Sequence, residues 1–312
     1  MRRRDLVLLT DHSSTEGTRD AIATAVRRLT GREPVMLDAR RFMTDGPDNA
    51  TSGWIEDTGG GTVRLEAEGR AVTTDTVVVY EIPPHRRPAF AHCQRLLRAS
   101  GVRSLGTDVE AWRTATEKDR TVERFARDSV PQMPTVTLSR PSPEAAAEAF
   151  ERLGGDVWAR PCVGMGGSDV FHVTSHAQLV AATRHYAELG ADWLIAQDAR
   201  NFTADGRRHQ YRVVVLADRA IRATEHLQAD PDAPCNECQG AVSSTLEIEE
   251  LPAGIEELAI LATKSLGLPL AGVDLAAESG GVVFEVNVHP AFNRIRGVEQ
   301  VAIPYVAAHL RP

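Results

Sequence analysis

The stretch VVFEVNVHP, residues 282–290, places the tightest constraint on what this chain can fold into. Val282, Val283, Phe284, Val286 and Val288 call for a buried strand, yet Glu285 and Asn287 interrupt the apolar run, two residues apart. Side chains alternate faces along a strand, so Glu285 and Asn287 point the same way. A buried, unpaired carboxylate is costly, so that face must meet water or a compensating charge. An antiparallel strand with one wet face meets the first condition. Upstream, LAGVDLAAE reads as a second strand carrying Asp274, and SGG at 279–281 turns the chain back. The resulting hairpin brings Asp274 beside Glu285 and Asn287. Two carboxylates and an amide form an all-oxygen set, which suits Mg²⁺ at about 2.1 Å and does not suit zinc.

The 312 residues, 42% of them hydrophobic, suffice for two or three domains with a sizeable core. No apolar run reaches the ~18 residues of a membrane span, and the N-terminal MRRRDLVLLTDHSS is too short in apolar residues for an export signal. The expected setting is therefore the cytoplasm, with Cys93, Cys162, Cys235 and Cys238 as free thiols. A formal charge of −8 argues against a nucleic-acid partner. Homo-oligomer formation is left open.

The pattern is α/β. Residues 5–9 form a strand and 18–30 a helix, with Ala21, Ile22, Ala25, Val26 and Leu29 at helical spacing and Gly31 as its stop. Strands follow at 34–38 and 76–84, separated by a Gly-, Thr- and Asp-rich stretch (43–75) expected to hold a hairpin and loops; a helix at 88–100 completes this unit. From 107 a charged helical stretch leads to a strand at 134–138 and a helix at 142–154, capped by Ser142 with Pro143 in its first turn. DVWARPCVGMGGSDVFHVTS (156–175) reads as strand, Gly-rich turn, strand. A further helix, strands at 192–198 and 210–225, a loop to 240, a helix near 252–266, the hairpin and a last helix near 297–310 follow.

With these pieces in order, the chain resembles the ATP-grasp ligases, most closely the RimK-like glutamate ligases and related peptide maturases, over roughly 105–310. The resemblance rests on GVDL…VVFEVNVHP, on TEKDRT with Lys118, on GMGGSD, on WLIAQDA and on QYRVVVLADRAIRA. That one of only two lysines in the chain falls at 118 adds to it. The resemblance implies an ATP-grasp fold of mixed α/β (α+β) class: an N-terminal α/β domain at 1–105, a central subdomain at 106–190 and a C-terminal subdomain at 191–312. It implies ATP and Mg²⁺ as cofactors. Lys118, Arg160, Gly164, Gly166, Gly167, Ser168, Gln197, Asp198 and Ala199 would meet the nucleotide. Asp274, Glu285 and Asn287 would hold metal, and Arg212 would be catalytic.

Two departures stand out. The family's second ATP lysine is here Arg160, a planar fork in place of a point charge. The acceptor loop reads PDAPCNECQG (231–240), not the Arg-, Asn- and Gly-rich family pattern, which loosens any inference to glutamate. Its CxxC is open to thiol or metal chemistry, though a packing role is the plainer reading. The implied reaction joins a carboxylate to an amine on a small molecule or peptide through an acyl phosphate. A ribosomal-peptide maturase is the alternative, and a non-catalytic ATP-binding module a third reading. No general base stands out; His226, Glu225 and His289 are candidates. The loop DHSSTEG (11–17) follows the first strand, where α/β folds place ligands.

Overall fold

Val7–Thr10 (β1) is buried at every position, as befits the centre of a parallel sheet covered on both faces. The computed structural model describes residues 5–44, 53–292 and 295–310, which fall into two units. The first comprises 1–113, 268–270 and 288–312; the second comprises 114–267 and 271–287.

In the first unit, β1 leads through helix α1 (Thr18–Thr30) to β2 (Val35–Asp38). Ala21, Ile22, Ala25 and Val26 of α1 are buried, whereas Leu29 at its end is exposed, and the helix packs on the last helix, Ile303–Leu310. Gly31, at φ +71°, ends α1 as expected and donates its N–H to the Arg27 carbonyl at 2.8 Å. The Gly- and Thr-rich stretch forms a three-stranded antiparallel sheet of β3 (Trp54–Asp57), β4 (Val63–Ala67) and β5 (Arg70–Thr74), one strand more than a hairpin. The part of that expectation at 45–52 lies outside the described residues. β6 (Val77–Tyr80) pairs in parallel with β1, giving the order β2-β1-β6, and is followed by α2 (Arg87–Ala99) and α3 (Val109–Thr116).

Near the start of the second unit, which begins at Thr114, the expected single helical stretch breaks. Glu117 is extended (φ −87°, ψ 104°), and α4 begins afresh at Lys118–Asp128. The break goes with a tertiary contact: the Lys118 N–H donates to the Cys162 carbonyl (2.9 Å), far along the chain, and not to the preceding turn. β7 (Thr135–Leu138), α5 (Pro143–Arg152), β8 (Val157–Pro161), β9 (Phe171–Val173), α6 (His176–Leu189) and β10 (Trp193–Gln197) build an antiparallel sheet in the order β7-β10-β8-β9. Ser142 caps α5 through its Oγ. Phe150, Leu153, Val157, Ala159, Tyr186, Trp193 and Ile195 join α5 and α6 to one face of this sheet. Alternation then turns Trp158 and Arg160 to the opposite face, where both are half-buried.

A five-stranded sheet follows, in the order β13-β12-β11-β14-β15. Its strands are β11 (Arg208–Leu216), β12 (Arg219–Gln228), β13 (Val242–Leu246), β14 (Leu270–Ala276) and β15 (Val282–Asn287), with α7 (Ile255–Leu266) packed against β11, β12 and β15. β13 has no counterpart in the sequence reading. It is a short, Ser- and Thr-rich edge strand, ordered by pairing with β12 and not by its own pattern.

Candidate active site

The hairpin of β14 and β15 sets Asp274 opposite Glu285 and Gly272 opposite Asn287, with a bulge after Asp274. Asn287 Nδ2 donates to Asp274 Oδ2 at 3.1 Å and to the Gly272 carbonyl at 3.3 Å. The three expected oxygen ligands are therefore neighbours on one sheet face. Each carboxylate is also met by a cation. Arg212, on β11, grips Asp274 with both arms of its fork, at 2.6 Å from Nε and 2.7 Å from Nη2. Lys118 Nζ lies 3.1 Å from Glu285 Oε1. Burial alone would push the Glu285 carboxyl up, but Lys118, Arg160 and Arg212 outweigh it and hold the group below the ordinary carboxylate range. Burial likewise pulls Arg212 down, and Asp274 outweighs it, leaving Arg212 above its ordinary value.

Three cations thus face two carboxylates, and the excess positive charge suits a polyanion. Lys118 is 8% exposed and is the first residue of α4, fixed there by the Cys162 contact. Arg160 Nε is buried with no hydrogen-bond partner. An orphaned guanidinium N–H beside the carboxylate pair is what a phosphate oxygen would satisfy. Asp274, Glu285 and Asn287 offer the oxygen donors that Mg²⁺ prefers, so the residues present fit both the nucleotide and the metal.

The glycine loop lies between β8 and β9. Gly166 and Gly167 adopt φ +68° and +72°, which only glycine takes without strain. A Cβ on Gly167 would sit 3.2 Å from Gln239 Cγ and 3.5 Å from Pro234 Cβ. Ser168 Oγ donates to the Met165 carbonyl (2.7 Å), and Gln239 Nε2 reaches the Gly166 carbonyl at 3.5 Å. Gly164 packs next to Pro161, where a Cβ would meet Cγ at 3.0 Å.

Gln197 ends β10, and Asp198 and Ala199 follow. The Asp198 carboxylate is committed inside the protein: Arg208 Nη1 donates to it at 2.7 Å and Trp158 Nε1 at 2.9 Å. Burial would raise Asp198, yet Arg208 and Trp158 outweigh it and lower its pKa. Arg208 lies over the rings of Trp158 (4.9 Å) and Phe202 (4.4 Å). Trp158 stacks on His172 (centroids 4.7 Å apart), whose two ring nitrogens meet Asp156 at 2.8 Å and Asp232 at 2.7 Å. Asp156, His172 and Asp198 offer ligand atoms within 4.8 Å of one another, but their mutual bonds and Arg208 already answer these charges. Met133 and Phe284 pack against Ala199, Ala276 and Val282, adding an apolar wall beside Ala199. Sequence reading passed over Trp158, Arg208, His172, Met133 and Phe284. Alternation along β8 was a signal available for Trp158, two residues before Arg160.

The loop after β12 is packed by Gln228, whose Nε2 donates to the Pro234 (3.2 Å) and Gln239 (2.8 Å) carbonyls. Cys235 is buried, and its thiol donates to the His226 carbonyl at 3.1 Å; burial pushes its pKa up to about 12. It is a packed thiol, whereas Cys238 is exposed. Of the base candidates, Glu225 pairs with Tyr211, on the β11 face opposite Arg212, and lies near His209 Nδ1 (3.6 Å). His289 belongs to the first unit: it accepts the Ile82 N–H at 3.3 Å and packs against Tyr80 and Trp112. Burial holds it well below the ordinary histidine range, as a core residue. His226 lies on the Arg212 face.

The family model of the RimK-like ATP-grasp domain matches residues 115–305. A probable alpha-L-glutamate ligase of Haemophilus ducreyi is 27% identical over 62% of this chain and 61% of its own length. One of Legionella pneumophila (strain Corby) is 26% identical over 66% of this chain and 65% of its own. The chain thus spans less than two thirds of the length of these relatives. Among solved structures, D-alanyl-alanine synthetase A from Vibrio cholerae superposes with TM-score 0.68 at 17% identity, covering 99% of this chain and 98% of that one. The ATP-grasp ligase PsnB complexed with a minimal precursor gives 0.67 at 16% identity, covering 98% of each chain. These likenesses establish an ATP-grasp fold of mixed α/β type.

Proposed function

Because the chain belongs to the RimK-like ATP-grasp family, we propose that it is an ATP- and Mg²⁺-dependent carboxylate–amine ligase, forming an amide through an acyl phosphate and releasing ADP and phosphate. One observation carries this reading: Asp274, Glu285 and Asn287 share a sheet face with Arg212 and Lys118 in direct ion pairs. The division of labour follows 1–105, 106–190 and 191–312, with the substrate side in the first segment, the glycine loop in the second and the metal ligands in the third.

Asp274, Glu285 and Asn287 would hold Mg²⁺, which when bound neutralises charge on the phosphates. Lys118 and Arg160 then turn from their carboxylate neighbours to phosphate oxygens. Backbone N–H groups of Gly164, Gly166, Gly167 and Ser168 close over the terminal phosphate and keep water from the acyl phosphate. The segment Gln197, Asp198 and Ala199 meets the base through its backbone, since the Asp198 side chain is engaged by Arg208 and Trp158. Arg212 stabilises the carboxylate and then the oxyanion of the tetrahedral intermediate.

A peptide acceptor or donor is the second reading, supported by the full-length likeness to PsnB, whose structure was solved with a precursor. No helix among the described residues is long and apolar enough to cross a membrane. The test is ADP release with Mg²⁺-ATP across amino acids and short peptides, with hydroxylamine to trap the activated carboxylate as a hydroxamate. ATP-dependent hydroxamate is expected. Nucleotide binding without ADP from any carboxylate would instead make the protein a binding module.

A further inference from the structure

The amine must shed a proton as it attacks, and none of the residues assigned above accepts one. His226 lies on β12 opposite Gln210 of β11 and Ser243 of β13, two positions along from Thr224, which lies opposite Arg212. Paired residues share a face, so His226 stands diagonally next to Arg212 on the catalytic face. It is 5% exposed. Its Nδ1 lies 2.6 Å from Ser243 Oγ, and its Nε2 is buried with no partner. With Nδ1–H donating to Ser243, the Nε2 lone pair is available as a base. The backbone is clamped by the Cys235 thiol on the His226 carbonyl, so ring and main chain are both held. The charges that face the ring are Arg212 from β11, Asp274 from β14, Glu237 from the following loop and Arg222 on its own strand. Burial and then Arg212 hold His226 below its ordinary pKa, which keeps the ring neutral near pH 7.

Resting on the ligase reading, we propose that His226 Nε2 is the general base that deprotonates the attacking amine, with Ser243 as its positioning residue. The amine nitrogen forms the C–N bond and gives its proton to Nε2. The C–O bond of the acyl phosphate breaks, with its electron pair leaving on phosphate. The imidazolium returns the proton to that phosphate, which departs as hydrogen phosphate.

The test separates carboxylate activation from amine attack. Wild type, His226→Gln and Ser243→Ala are each given Mg²⁺-ATP and the panel of protein amino acids as carboxylates. Each is assayed once with hydroxylamine, a neutral nucleophile near pH 7, and once with the same amino acids as amines. His226→Gln is expected to retain hydroxamate formation within about 3-fold and to lose amide formation by at least ~100-fold, the usual contribution of a positioned base. Ser243→Ala, which leaves the ring in place, should show a smaller loss, about 5- to 20-fold, confined to amide formation. Equal losses in both assays, or amide formation at the wild-type rate, would overturn the assignment while leaving the ligase reading intact. A wild type that makes neither hydroxamate nor ADP would overturn both.

Discussion

Glu285→Gln tests the charge architecture and the metal site in one protein. From sequence alone Glu285 is one of two facing carboxylates, and its loss relieves repulsion. The structure reverses that sign. Lys118, itself buried, lies 3.1 Å from Glu285 Oε1, and Arg160 and Arg212 add their charge to it. The variant leaves three cations facing Asp274 alone. Breaking a fully buried pair costs roughly 3–5 kcal/mol. The Glu285 side chain is 32% exposed, which lowers this to about 2 kcal/mol for the nucleotide-free protein. For a domain of this size that is a fall in Tm of ~4–8 °C. The pH dependence follows from the lowered pKa. The unfolded chain holds the Glu285 proton more tightly, so this contribution is fully present above the ordinary value of 4.5 and is lost as pH falls through the lower folded value. Melting curves of both proteins at pH 7 and across the acid range should therefore converge on acidification. ADP release should fall by at least ~100-fold, because a carboxylate proposed to hold Mg²⁺ is gone. An unchanged or raised Tm at pH 7 would refute the electrostatic account. A rate above about a tenth of wild type, less than ~1.4 kcal/mol of lost transition-state stabilisation, would refute the metal assignment.

Arg160→Lys should keep ADP release within about 5-fold, since phosphate asks mainly for charge there, whereas Arg160→Ala should raise the ATP requirement by ~10-fold or more; steady-state kinetics with unchanged ATP dependence in the alanine variant would remove Arg160 from the site. Gly167→Ala forces a left-handed backbone on a residue with a Cβ and crowds Gln239. The cost of about 1–2 kcal/mol should raise the ATP requirement ~5- to 30-fold, and loss of ATP-induced protection at 164–169 in hydrogen exchange should accompany it. The double variant Cys235→Ser, Cys238→Ser should stay active, and purified wild-type protein should carry no zinc by elemental analysis. Stoichiometric zinc would contradict the packed, protonated Cys235 thiol.

The sequence by itself determined most of the elements and the polar residues on them. Alternation in VVFEVNVHP marks Glu285 and Asn287 as one face, the SGG turn brings back Asp274, and capping signals such as Ser142 and Gly31 mark helix ends. These are short-range properties, set by backbone geometry within a few residues. What only the tertiary structure decided is which charges answer which. The ion pairs Lys118–Glu285 and Arg212–Asp274 join residues far apart in the chain, and nothing local encodes them. The engagement of Asp198 by Arg208 and Trp158 likewise depends on β8, β10 and β11 coming together. The break at Glu117 depends on a carbonyl 44 residues away, because the Lys118 N–H finds Cys162. Edge strand β13 is ordered by its partner β12, and through it Ser243 reaches His226. Hydrogen bonds and ion pairs between distant segments form only once packing has brought their owners within about 3 Å, so the chemistry was legible residue by residue and the circuit was not.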